Sequence, residues 1–185
     1  MAAQIRRAVL FSTIAFCSAL ALAEVKPLSV GGFTLEQELA LPASPEAVYD
    51  AVTGDVSGWW DHSFSKQPAW FYLDAKPGGG FWEFFDKEGK NGVLHATVIY
   101  ADRGKRLTFR GPLGFNGKAV DCVMTYDLKP EGSGTRLHLT VNATGQTSAE
   151  EGKLVDGVWH HFLFERLKPY IESGEYLKKA KKGKR

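Results

Sequence analysis

The chain has 185 residues, 44% of them hydrophobic, with 23 Lys and Arg against 21 Asp and Glu and a formal net charge of +2. That length fits one domain with a sizeable core, and outside the signal-like start and the basic end acidic residues outnumber basic ones, which argues against nucleic acid as a partner. There are two cysteines, Cys17 and Cys122.

Arg6 and Arg7 precede an uncharged apolar run from Ala8 to Leu22, and Ala21-Leu22-Ala23 supplies small residues at a cleavage point. The pattern predicts a secretory signal over residues 1–23, since the run is short of the roughly 20 residues a spanning helix needs. The expected product is periplasmic or secreted. It would retain Cys122 alone, so no intrachain disulfide can form. Residues 24–32 are read as an N-terminal extension, 33–172 as the folded domain and 173–185 as a basic tail. Lys178, Lys179, Lys181, Lys182, Lys184 and Arg185 make that tail a candidate contact for an anionic membrane surface, at ~1 kcal/mol per cation.

The first strand is expected over Phe33 to Leu41, where apolar residues alternate. Ser44-Pro45 starts a short helix that ends near Thr53 with Gly54 as its cap. "DVSGWWDHSF" reads as a second helical turn carrying Trp59 and Trp60. Turn signals then separate six strands near 70–75, 81–86, 92–102, 105–111, 119–129 and 135–145. From Leu154 to Ile171 apolar residues recur every three or four positions, predicting a long closing helix kinked at Pro169.

If Glu88-Gly89 and Arg103-Gly104 each centre a hairpin, Glu83 lies opposite His95, Val98 opposite Phe109 and Tyr100 opposite Leu107. Alternation then gathers Trp82, Phe84, Leu94, Ala96, Val98, Tyr100, Leu107 and Phe109 on one covered face. Glu83, His95, Thr97, Arg106, Thr108 and Arg110 fall on the other, with Phe81 and Phe85 as apolar exceptions. The ionisable groups are thus expected to face solvent, which argues against a catalytic constellation. Cys122 reads as a small core hydrophobe. His160 and His161 are adjacent and lack the four-residue spacing that aligns metal ligands, and Gly78-Gly79-Gly80 joins strands instead of opening a helix. No metal or cofactor is implied.

The element order, with "LPASPEAVYDAVTGDVSGWW", "DAKPGGGFWEFF", "GVLHATVIYADRGKRLTFRGPLG" and "VDGVWHHFLFERLKPYI", resembles the START-like (SRPBCC) superfamily. The resemblance is to the bacterial branch named after the activator of the heat-shock chaperone ATPase. It implies an α+β helix-grip fold: a bent seven-stranded antiparallel sheet wrapped around a long C-terminal helix, with two short helices after the first strand. It also implies an apolar cavity between sheet and helix, lined by Trp82, Phe84, Val98, Phe109, Met124, Tyr126, Trp159, Phe162 and Leu163, with Trp59 and Trp60 near the mouth. The expected function is binding of a small apolar or aromatic ligand or lipid. The alternatives are a cyclase, dehydratase or hydrolase using the same cavity, with Tyr100, Tyr126, Asp61 or His62 as its polar groups, and an adaptor docking to membrane through the tail. An exported chain would not meet a cytosolic chaperone, so the activator role does not follow from the resemblance.

Overall fold

The computed structural model describes residues 25–178. The signal expected over 1–23 and all of the basic tail beyond Lys178 lie outside the described residues. Eight antiparallel strands run in the order β1-β8-β7-β6-β5-β4-β3-β2, where β1 is Gly31–Leu41, β2 Gly54–Asp55, β3 Trp70–Leu73, β4 Gly80–Phe84, β5 Gly92–Asp102, β6 Arg106–Gly111, β7 Val120–Glu131 and β8 Gly134–Gly145. The chain closes with a helix lying across this sheet, the helix-grip arrangement. One strand more than expected is present, because Gly54, expected as the cap of the first helix, and Asp55, the first residue of the stretch read as a second helical turn, form the two-residue β2 on β3. A single hydrogen-bonded turn follows, in which the Val56 carbonyl accepts from both Trp59 and Trp60.

Helix α1, Pro45–Ala51, begins as its sequence dictates: the Ser44 hydroxyl accepts from the Ala47 amide at 3.3 Å and Pro45 occupies the first turn. Its inner face buries Val48, Tyr49 and Ala51. Asp50 on the outer face accepts two hydrogen bonds from Arg103, at 2.8 and 2.6 Å, tying α1 to the β5–β6 turn. Gly104 in that turn has φ of 78°, a conformation costly for any residue with a Cβ.

Strands β6, β7 and β8 follow the expected alternation. Leu107, Phe109, Cys122, Met124, Tyr126, Leu137, Leu139 and Val141 are buried on the concave face. Arg106 pairs with Asp127, and Arg110 with Asp121, on the convex face. Such exposed pairs contribute little to stability, because water and salt screen them. The buried residues carry most of the stability, at about 1.5–3 kcal/mol for each large apolar side chain removed from water.

The closing helix starts earlier than its apolar stripe suggests. Helix α2, Ala149–His160, is capped by the Ser148 hydroxyl, which accepts from the Glu151 amide at 3.2 Å. Gly152 lets it sit on β1, since a Cβ there would fall 2.8 Å from the Phe33 ring. The expected kink at Pro169 is replaced by a wider coil: His161–Leu167 is π-helical, and Lys168–Glu172 resumes as α3. Pro169 stands in the first turn of α3, directly after the π-helical segment. The wider coil inserts a residue into the repeat, so Phe162, Leu163, Leu167, Tyr170 and Ile171 all remain buried.

The π-helical segment is also held from outside. Both nitrogens of His161 meet carboxylates, Nδ1 to Glu165 at 2.8 Å and Nε2 to Asp61 at 3.0 Å, and Arg166 reaches Asp61 at 3.0 Å. The hydrogen bonds that the ring donates to Glu165, first, and to Asp61 raise the His161 pKa above 6.5. A raised folded-state pKa contributes stability that is complete below the unfolded value and lost as pH rises through the folded one. Stability should therefore fall slightly as pH rises from 6.5 through that higher value, the effect being reduced by solvent screening of this half-exposed group, and His161→Gln should flatten this limb in urea titrations. An unchanged limb in the variant would refute the assignment.

Candidate functional site

The expected face assignment holds from Ala96 onward through Val98 and Phe109, but fails on β4. Between Phe81 and Trp82 the β4–β5 register shifts: Trp82 pairs with Leu94, while Phe81 pairs with Ala96, leaving His95 as an extra residue on β5. A bulge places two successive side chains on one side of the sheet. His95 and Ala96 are therefore both buried, and the alternation counted back from Val98 reverses before it reaches β4. The turn is also wider than a Glu88-Gly89 hairpin. Asp86 accepts from the Lys90 and Asn91 amides, so Glu83 faces Val93 instead of His95.

The consequence is an inversion of the expected faces. Phe81 and Glu83 point inward, with Glu83 fully buried, while Trp82 and Leu94 are 36% and 40% exposed on the convex side. Trp82 and Phe84, expected to line a cavity, instead lie outside with Trp70, whose ring stacks on Phe84 at 4.3 Å. A second irregularity at Ile99 pairs Tyr100 with Thr108 in place of Leu107 and leaves Tyr100 48% exposed. Tyr100 is thereby removed from the interior.

A carboxylate buried under apolar residues requires donors at both oxygens. For Glu83 these come from the irregular segment after Trp60. Oε1 is 2.5 Å from the Ser63 hydroxyl and accepts from the Ser65 amide at 3.0 Å; Oε2 accepts from the Phe64 amide at 3.0 Å and lies 3.1 Å from His95 Nε2. Burial pushes the Glu83 pKa up, but the bonds from Ser63, Phe64 and Ser65 and the proximity of His95 outweigh it and hold the group below 4.5. For His95 burial prevails over the raising influence of Glu83, and its pKa falls below 6.5. At neutral pH an ionised carboxylate therefore faces a neutral imidazole. Since Glu83 can only accept, the ring hydrogen resides on Nε2.

His95 Nδ1 is buried and has no hydrogen-bond partner. The Leu113 main chain, acting as an acceptor toward the ring, also raises its pKa, although its geometry falls short of a hydrogen bond to Nδ1. Phe64 stacks on the imidazole at 5.5 Å and Phe81 approaches at 5.2 Å.

This ring forms part of the wall of a cavity of about 180 Å³ between the sheet and the closing helix. Trp60, Trp159 and Phe162 supply its aromatic wall, with the Trp60 and Phe162 rings stacked at 3.9 Å. Met124, Cys122 and Val141 form the sheet side; Leu154 and Val158, 72% and 36% exposed, stand at the opening opposite Leu113–Phe115. Leu113 has φ of 45°, a left-handed conformation that costs a non-glycine residue about 1–3 kcal/mol. Such strain concentrates at binding sites. Burial pushes the Cys122 thiol up to about 11, so it stays protonated.

Of the expected lining residues, Trp60, Met124, Trp159 and Phe162 lie on the wall. Trp59, Val98, Phe109, Tyr126 and Leu163 are buried core around it. Glu83 and His95 escaped the sequence reading because a bulge leaves no reliable mark in one sequence; Phe81, an apolar residue on the supposed polar face, was the available sign. Asp61 and His62 are both exposed, with Asp61 bound to the helix and His62 at the cavity. Among the described residues no group of three metal-ligating side chains occurs.

Glu83→Ala would strand the Phe64 amide and the His95 Nε2–H, while the Ser65 amide and the Ser63 hydroxyl would lose Glu83 and keep only their contacts with each other's residue. The expected loss is about 3 kcal/mol or more in urea unfolding at pH 7, with faster hydrogen exchange at Phe64 and Ser65. Because the folded-state pKa is depressed, this contribution is present above 4.5 and disappears as pH falls through the lower folded value. Glu83→Gln should remove that part of the acid limb. A loss below about 1 kcal/mol for Glu83→Ala, the scale of one ordinary hydrogen bond, would contradict the buried network.

Comparison with known proteins agrees with this geometry at the level of fold. An uncharacterised protein from Rhizobium leguminosarum superposes with a TM-score of 0.60 at 21% identity, over 80% of this chain and 99% of its own. Mll3558 from Rhizobium loti gives 0.51 at 25% identity, over 70% and 92%. The Aha1 dimer from Colwellia psychrerythraea gives 0.54 at 19% identity, over 76% and 96%. No curated protein matches the chain. The family model described as activator of Hsp90 ATPase homolog 1-like protein matches residues 42–172, a stretch that runs from α1 to α3 and contains every wall residue of the cavity. The chain thus belongs to that family, within the START-like group of helix-grip domains.

Proposed function

We propose that the protein is an exported binding domain that holds a small apolar or aromatic molecule between its sheet and its closing helix. The observation that carries this reading is the cavity: about 180 Å³, walled by Trp60, Met124, Trp159 and Phe162, and open past exposed Leu154 and Val158. Binding pockets combine apolar walls with a few polar groups that orient the ligand. His95 and Cys122 are the buried polar groups here. Export rests on the charged, apolar and small-residue segments of residues 1–23.

Glu83 with His95 favours a second reading, an enzyme whose neutral imidazole accepts a proton from a molecule in the same cavity. Native mass spectrometry of protein purified from its own cells separates the two. A carrier retains a molecule of the same mass in wild type and His95→Leu, whereas an enzyme deprived of its base retains an unconverted molecule of different mass.

For the binding reading, tryptophan emission, excited at the red edge of the absorption, should shift saturably on titration with p-xylene or p-cresol, because Trp60 and Trp159 form the wall. Val158→Trp, filling the opening from an exposed position, should weaken the response about tenfold, the scale of overpacking a site, while Trp82→Ala should leave the affinity unchanged. Absence of a saturable shift with both compounds would refute the proposal.

A further inference from the structure

Resting on the binding reading above, we propose that the cavity selects aromatic molecules bearing a hydroxyl group, whose O–H donates to Nδ1 of His95. Polar side chains below the surface are almost always hydrogen-bonded, yet His95, 4% exposed, has one ring nitrogen bonded and one without a partner. The ring belongs to the cavity wall. A molecule occupying the cavity therefore meets a polar atom whose bonding capacity is unfilled.

The sign of that atom follows from its neighbours. Nε2 lies 3.1 Å from Glu83 Oε2, and both Glu83 oxygens also receive main-chain amides. The carboxylate is an acceptor throughout, so Nε2 is the donor and Nδ1 is left as a lone pair. A ketone, ether or nitro group would oppose one lone pair with another, whereas a phenol or alcohol satisfies it. A carboxylate ligand is disfavoured further by the charge of Glu83, one ring width away.

The walls specify the remainder of the molecule. Trp60, Trp159, Phe162 and Phe64 present ring faces and edges on the cavity wall, suited to stacked or edge-on contact with another ring. The volume of about 180 Å³ is slightly larger than that of an engineered apolar cavity of ~150 Å³ that admits benzene. A substituted single ring is of the right size.

The isosteric pair p-cresol and p-xylene tests this directly by calorimetry on the mature protein. Wild type should bind p-cresol about tenfold more tightly, the scale of one buried hydrogen bond, and His95→Phe should reduce the ratio to near one. Should the variant fail to fold, the ¹⁵N resonance of His95 Nδ1 in the wild type takes its place: it should move on adding p-cresol and stay in position with p-xylene. Equal affinities in the wild type, a preference that persists in His95→Phe, or an unmoved Nδ1 resonance on saturation with p-cresol would each overturn the hydroxyl anchor while leaving cavity binding intact. Failure of both compounds to bind would overturn both proposals.

Discussion

A single ionised carboxylate, buried completely inside the concave face, organises the working end of this molecule. Glu83 cannot remain there without donors, and the strand that carries it supplies none on that face. The demand is met by Ser63, Phe64 and Ser65, drawn in from a segment without regular structure, and by His95 from the neighbouring strand. Replacing the hydration of a carboxylate with such bonds costs several kcal/mol when any donor is missing, so the loop, the bulge and the imidazole are mutually dependent.

From this constraint the cavity follows. The segment that reaches Glu83 begins at Trp60, whose ring stacks on Phe162 and whose indole N–H donates to the His62 carbonyl at 3.0 Å. The next residues place Phe64 over His95. The same chain thus closes one wall of the cavity and fixes the orientation of the imidazole within it. At the far side, Asp61 meets His161 and Arg166 of the π-helical segment, so the loop is clasped both to the sheet and to the closing helix. Polar interactions here set the shape, while the apolar core supplies the stability.

The legibility of the sequence was uneven for a definable reason. Strands β7 and β8 are long, regular and paired over their whole lengths, and there the alternation of Val120 to Leu128 and of Leu137 to Ala143 translated directly into buried and exposed faces. The N-terminal cap at Ser44 and the apolar stripe of the closing helix were equally readable, being local. The resemblance to the START-like group pointed to the cavity residues Trp60, Met124, Trp159 and Phe162, and the last three stand on regular elements of this kind. Trp82 and Phe84 do not; their assignment was carried across two hairpins, and one extra residue in the ladder reverses every face beyond it. The outward turn of Trp82 and the inward turn of Glu83 are the same event.

By itself the chain of residues determined the order of its elements, since this depends on short-range periodicity and on caps and turns that act over a few positions, and its resemblance to the START-like group supplied the class of fold and the apolar space between sheet and helix. Only the tertiary structure decided that a carboxylate and an imidazole share that space. Their inward placement requires the bulge at His95, the wide Asp86 turn and the donors of Ser63 to Ser65 at once, and such a coincidence of distant segments is a property of the folded chain, stabilised by contacts that no local pattern records.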